Sequence, residues 1–286
     1  MWKILLTILS IQFVGGCASF SEFFQFSDSE VKQSPRSSFP PRSASAVSGS
    51  QFIARTASMT AEQRENAIFK EISSGNIPGF LRSGIPVRVI HRHGAQVLRG
   101  TFFVLPDYLA IGSDRDYVRI PMTPMVAQKL ADRFGYVLPT RKMVNDTYAQ
   151  AAIKLSPSPM PPGPLMVTND YYLRHERTIQ SQLPKKYWGK LIAGHKKDVV
   201  ISNRLLSQPG RVAIYGWHRL NGVAIQPLSL VHGSYYADYS HGIRMVQSVM
   251  QVGAFKMYVS DVLKNRKYSG LLSDEGSMPN PRARTH

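Results

Sequence analysis

The chain has 286 residues, with 35 Lys and Arg against 18 Asp and Glu for a formal charge of +17, 43% apolar residues and a single cysteine. That length and apolar fraction suit a globular protein with one large or two small cores and exclude a wholly disordered chain. One Cys excludes an internal disulfide and a cysteine-rich structural zinc site, while the basic excess favours polyanionic partners: nucleic acid, anionic lipid, or cell-wall polymers carrying phosphate or carboxylate.

The amino terminus narrows that choice. Lys3 is followed by an apolar run from Ile4 to Val14, interrupted by Thr7, Ser10 and Gln12. The run is shorter than the roughly 20 residues of a membrane-spanning helix and reads as a secretory signal. The next residues, Val14-Gly15-Gly16-Cys17, resemble the lipobox of bacterial lipoproteins. That resemblance implies a signal peptide over residues 1–16, diacylglycerol on the Cys17 thiol, and a stable membrane anchor, because several acyl chains bind far better than one. Ala18, where an Asp would hold such a protein back, implies the outer membrane facing the periplasm in a Gram-negative envelope. Acylation of Cys17 would consume the only thiol, which argues against a cysteine nucleophile, and export argues against nucleic acid.

Residues 17–59 are rich in Ser, Pro and Phe without helical or alternating period, and are expected to be a disordered tether. Thr60, with Gln63 in the capping-box position, predicts a helix carrying Ala67, Ile68 and Ile72 on one face and closing at Gly75. Short β-like runs follow at 85–90, 96–104, 108–111 and 117–120. Thr123-Pro124 opens a helix that closes at Gly135, Thr140 starts another, and the SPSPMPPGP stretch over 156–164 is an extended connector. Beyond it come a weakly helical stretch at 171–183 and β-branched runs at 198–201, 211–215 and 223–231. Ile243, Val246, Val249 or Met250 and Phe255 then recur at helical spacing, predicting a last helix from Ser240 to about Leu263. Strands and helices in no regular alternation predict the α+β class, with one domain over 60–272 and a frayed polar tail over 273–286.

Polar residues concentrate in the second half. His195, Lys197 and Asp198 lie in GHKKD, His218 ends YGWH, and His232, Asp238, Ser240, His241 and Arg244 lie between 232 and 244. Each group sits at the end of a predicted strand, where loops at one sheet edge bring side chains together. His232 and His241 are candidates for acid–base catalysis, because an imidazole titrates near neutral pH, with Asp238 or Asp198 orienting and Ser240 or a water attacking. Arg244, His195, Lys197 and His218 are candidates for substrate binding. Ser240 at a helix start, beside Asp238, is equally a helix cap, and the backbone N–H groups there would suit an anion. His232, Asp238 and His241 also offer three zinc ligands with an open fourth position, though the spacing matches no strong metal motif.

His232-Gly233 and Ser240-His241-Gly242-Ile243-Arg244-Met245 together resemble the L,D-transpeptidase signature, in which HG is followed by SHGCIR. The nucleophilic Cys between Gly and Ile is missing here and the separation is shorter, so that family's reaction does not carry over. GHKKDVVISNRL, GRVAIYGWH and DYSHGIRMV resemble segments of secreted bacterial proteins, which implies one compact domain and brings no activity with it. Two functions fit. One is a membrane-anchored envelope hydrolase acting on peptidoglycan or another anionic polymer, with no cofactor unless zinc. The other is a non-catalytic lipoprotein gripping cell-wall polymer through a basic surface.

Overall fold

The computed structural model describes residues 38–283. Cys17 and the signal segment lie outside these residues. The helices begin where their capping residues dictate. Ser48 caps α1 (Gly49–Arg55) and Thr60 caps α2 (Ala61–Ser73), each with a Gln at the third position returning the bond.

A long hairpin of β1 (Ile85–His93) and β2 (Gln96–Val104) follows, then the short pair β3 (Ala110–Gly112) and β4 (Tyr117–Arg119). Thr123 caps α3 (Pro124–Phe134), which ends on Gly135 at φ 70°, a left-handed conformation that glycine adopts without a side-chain clash. β5 (Tyr136–Val137), α4 (Arg141–Gln150) and β6 (Ile153–Lys154) lead into the proline-rich connector.

After it come α5 (Asn169–Gln182), β7 (Ile192–Ala193), β8 (Lys197–Val200), β9 (Ala213–His218) and β10 (Ala224–Ser229). The chain continues through β11 (His241–Gly242), β12 (Val246–Gln247), β13 (Val249–Val252), β14 (Phe255–Tyr258) and α6 (Val259–Lys264). These elements form one α+β domain.

Two sheets organise it. The larger runs β14-β13-β2-β12-β5 with β1 on β2, and the smaller runs β10-β9-β8-β11, where only β8 and β11 are parallel. One continuous apolar core, from Phe39 to Ala283, joins them to the helices. Because it draws on both sides of the connector, the connector does not split the fold.

Three expectations are corrected. The segment before Thr60 is not all tether: Phe39, Val47, Phe52 and Ile53 are buried, and Phe39 packs its ring 4.4 Å from Phe134. Arg42 donates to the Asn76 side chain and to the Ala46 and Val47 carbonyls, while Arg82 donates to the Phe39 and Pro40 carbonyls. Order here comes from partners remote in sequence, which a local count of apolar residues does not register.

The stretch over 273–283 is likewise held, with Met278 and Ala283 buried and Glu275 accepting from Ser202 and Asn203. Finally, the expected helix from Ser240 is four short strands, and only Val259–Lys264 is helical. Val246 pairs with both Val104 and Val137, and Gly253 at φ 57° turns a hairpin, so cross-strand partners override the helical spacing.

Because Phe52 is 2% exposed within the segment expected to be a tether, Phe52→Ala should lower the unfolding free energy by about 3 kcal/mol, read from urea denaturation. A change below about 0.5 kcal/mol, the range of surface substitutions, would return this segment to the tether.

Candidate functional site

The register of the smaller sheet joins the three polar segments. Lys197 lies opposite both Gly216 and His241, and Asp198 opposite both Tyr215 and Gly242. Gly242 is required by packing, since a Cβ there would lie 2.5 Å from the Tyr108 ring. Between Gly216 and His218 sits Trp217, the one non-glycine residue at positive φ (56°) among those described. Such a conformation costs about 1–3 kcal/mol and persists only where surroundings enforce it. Here the Lys197 ammonium lies 5.2 Å over the indole and His175 meets its edge at 6.1 Å.

An outer cluster forms around the turn before β11. Asp238 accepts from the Ser240 amide (2.8 Å) and hydroxyl (2.6 Å) with Oδ1, and from the Tyr236 hydroxyl (3.0 Å) with Oδ2. Tyr236 stacks on His232 at 4.2 Å and presents an edge to His241 at 5.8 Å, and the two imidazoles are 6.5 Å apart. His232 and Tyr236 are half-buried, while His241, Asp238 and Ser240 are buried, so the cluster runs from rim to interior.

Neither ring nitrogen of His241 has a hydrogen-bond partner among the described residues. Burial lowers its pKa to about 4 against the opposing pull of Asp238, so at neutral pH the imidazole is uncharged. Burial works to raise the Asp238 carboxyl, but His241 and the bonds from Ser240 outweigh it and hold the group below its ordinary value. The result is an ionised carboxylate beside a neutral base.

The helix-start anion site expected at Ser240 is corrected, because no helix begins there and the Ser240 amide and hydroxyl both donate to Asp238. Nor does the serine bond to an imidazole. Asp238 is committed to Ser240 and Tyr236, and among the described residues no group of three or more His, Cys, Asp or Glu side chains is placed to hold a metal ion.

Behind this cluster lies a second, fully interior network. Asp198 accepts from Tyr108 Oη at 2.8 Å and lies 3.7 Å from Arg244, whose guanidinium covers the Tyr108 ring at 4.2 Å. Arg244 spends its terminal nitrogens on the Leu105 and Ile192 carbonyls, so the side chain expected to bind substrate is a structural clamp. Burial raises Asp198 to about 6, opposed by Arg244 and the Tyr108 bond.

His195, also expected at substrate, is buried and meets Asp107 at 3.0 Å. Asp107 in turn takes Arg119 at 2.7 Å, and Arg119 reaches Glu176 at 2.5 Å. Burial disfavours both charges of the Asp107–Arg119 pair, but their attraction and the neighbouring His195 and Glu176 outweigh it, leaving both ionised. Lys196 donates to the Tyr239 carbonyl at 2.7 Å, and burial lowers it to about 8.

His218 lines a cleft that holds none of the other candidates. It stacks on Tyr148 at 4.5 Å and contacts Asn145 Oδ1 at 3.1 Å, and the cleft, open and about 520 Å³, is shared with Lys154 and Tyr215. The structure thus brings His232, Asp238, Ser240 and His241 together with Lys197 near them, places Asp198, His195 and Arg244 in the interior, and sets His218 apart. Sequence reasoning missed Tyr236, Asp107, Tyr108, Arg119 and Glu176. One signal existed: Arg119 interrupts an otherwise apolar run, Tyr117–Ile120, in which all four residues are buried.

Comparison with family models, with curated proteins and with solved structures finds no match to this chain. No helix among the described residues is long and apolar enough to cross a membrane.

Removing Arg119 would leave two buried carboxylates without their cation, so Arg119→Ala should cost about 3–5 kcal/mol in denaturant unfolding, and a cost under about 1 kcal/mol would make the network dispensable. A pH effect follows from the histidines. Burial lowers His175 to about 2 and His195, His218 and His241 to about 4, from 6.5. The unfolded chain therefore binds protons that the folded one refuses, and stability present above pH 6.5 should fall as pH drops toward 4, at about 1.4 kcal/mol per pKa unit. Asp198, raised from 3.8 to about 6, acts in the opposite sense over the same window, as do Glu65 and Asp146, which burial also raises, so three carboxyls stand against the four histidines. Thermal midpoints at pH 7.5, 6 and 5 test this, and a flat or rising trend toward acid would contradict it.

Proposed function

We propose that this chain is a hydrolase of the bacterial cell envelope, anchored through an acylated Cys17 and acting on peptidoglycan or another anionic envelope polymer without a cysteine nucleophile. The observation that carries the catalytic reading is His241: a buried, uncharged imidazole with both nitrogens unpartnered among the described residues, beside the ionised Asp238. Leaving a buried polar group unpaired costs free energy, so a residue kept in that state is poised for a ligand. His241 is the general base that takes a proton from an attacking water. Asp238 stabilises the imidazolium so formed. His232, at the half-buried rim, delivers a proton to the leaving group.

Ser240 supports this site rather than attacking, because its hydroxyl proton is directed at Asp238. The substrate class rests on other support: the charge of +17 attracts an acidic polymer, and the signal and lipobox-like segment point to the envelope. With Ala18 after Cys17, the location is the periplasmic face of the outer membrane in a Gram-negative cell.

Incubating the chain from Ala18 with purified peptidoglycan should release fragments whose masses identify the bond cleaved, with the rate falling about 10²–10⁴-fold in His241→Ala. Fragments released equally by His241→Ala would remove this residue from catalysis. No fragments, with the protein sedimenting on the polymer, would leave the non-catalytic binding lipoprotein as the function.

A further inference from the structure

A second surface carries chemistry that the buried cluster does not use. Trp188 is 47% exposed, yet its ring is firmly backed. Tyr187 stacks against it at 4.3 Å with planes 30° apart, and Phe80 meets it at 5.1 Å. Phe80 is itself edge-on to Tyr117 at 5.1 Å and to Tyr187 at 6.3 Å, so four rings from three distant segments interlock.

Polar bonds fix the base of this stack. The Tyr187 and Tyr117 hydroxyls meet at 3.2 Å, and Tyr117 Oη accepts from Arg119 at 3.3 Å, which ties the surface rings to the interior ion network. The outward side of Trp188 and Tyr187, with Asp114 and Arg115, lines a depression of about 580 Å³. Asp114 is oriented by accepting from the Phe80 amide at 3.2 Å. Lys185, Lys186 and Lys190 are exposed nearby in the chain.

A rigid, half-exposed indole with a carboxylate and a guanidinium at its side matches one ligand chemistry well. A pyranose ring has a face of C–H groups that packs on an aromatic plane and a rim of hydroxyl and amide groups that bond to a carboxylate acceptor and a guanidinium donor. A bare apolar patch would need no such flank, and an acidic side chain inside the depression disfavours an anionic bilayer. The neighbouring lysines suit a glycan whose substituents carry carboxylates.

We infer that the Phe80–Tyr187–Trp188 stack, with Asp114 and Arg115, is a glycan-binding platform that seats an amino-sugar ring of an envelope polysaccharide. This assignment rests on the polymer class proposed above, but not on that polymer being cleaved. The platform holds the chain by stacking, and the ordering cost is low because the rings are already packed in the unliganded protein.

The test uses the chain from Ala18, which retains every described residue, 38–283, and a β-1,4-linked N-acetylglucosamine hexamer as probe. Tryptophan fluorescence should change on titration. Trp188→Ala should weaken hexamer binding at least tenfold with an unchanged unfolding midpoint, and Trp188→Phe should lose less. Arg115→Ala, which leaves the stack intact, should weaken binding by a smaller factor.

Undiminished binding by Trp188→Ala, no hexamer binding by the unaltered chain, or Trp188-dependent capture by phosphatidylglycerol vesicles in place of the hexamer would each overturn the platform. The two proposals fail separately. Trp188-dependent hexamer binding without release of peptidoglycan fragments would remove the hydrolase and keep the platform. Fragment release lost in His241→Ala, with hexamer binding indifferent to Trp188, would do the reverse.

Discussion

Arg119 carries a positive charge into the interior of this protein, and much of the surrounding architecture is arranged to receive it. A guanidinium out of water is tolerable only when its N–H groups find acceptors of opposite charge, and those come from segments far apart in the chain: Asp107 after the long hairpin and Glu176 on α5. Asp107 then reaches His195, just before β8, and the Tyr117 hydroxyl passes the contact outward to Tyr187. One cation thereby fixes the loop after β2, the middle of α5, the entry to β8 and the aromatic surface beyond.

A second buried cation performs the same service for the smaller sheet. Arg244 ties the loop at Leu105 to the strand at Ile192 and lies over Tyr108, whose ring occupies the space that any side chain at position 242 would need. The turn holding Asp238 and Ser240 is set by the strand pairing of Lys197 with His241. Local hydrogen bonds then complete it, and the His241 ring is left between aromatic and charged neighbours with no hydrogen bond among the described residues. The proposed catalytic cluster and the proposed glycan platform are thus both supported by buried charge, one through Arg244 and the other through Arg119.

Much of the fold was legible in the sequence where the signal is local. Thr60 with Gln63, Thr123 with Pro124 and Gly135, and the run over 96–104 specify helix ends and a strand through backbone geometry alone, and each appears where expected. The candidate site was legible in part. The clustering of His232, Asp238, Ser240 and His241 within ten residues of chain made their proximity inexpensive, and they do meet. The failures share a cause. Val246 and Met250 fit a helix by spacing, but β2 and β5 supply partners that only the folded chain provides. Phe39, Phe52 and Met278 look sparse in polar surroundings until distant surfaces cover them.

By itself, then, the sequence determined what depends on near neighbours: the capped helices, the α+β mixture, the basic charge, and the residue types available for acid–base work. The tertiary structure alone decided which polar groups are buried. Arg244 and His195 became interior partners, His241 became a buried imidazole with no ring hydrogen bond among the described residues, and Trp188 became a supported surface ring. Burial and pairing are properties of contacts between segments separated by tens of residues, and the free energy of a charge depends on those contacts far more than on the residues beside it in the chain.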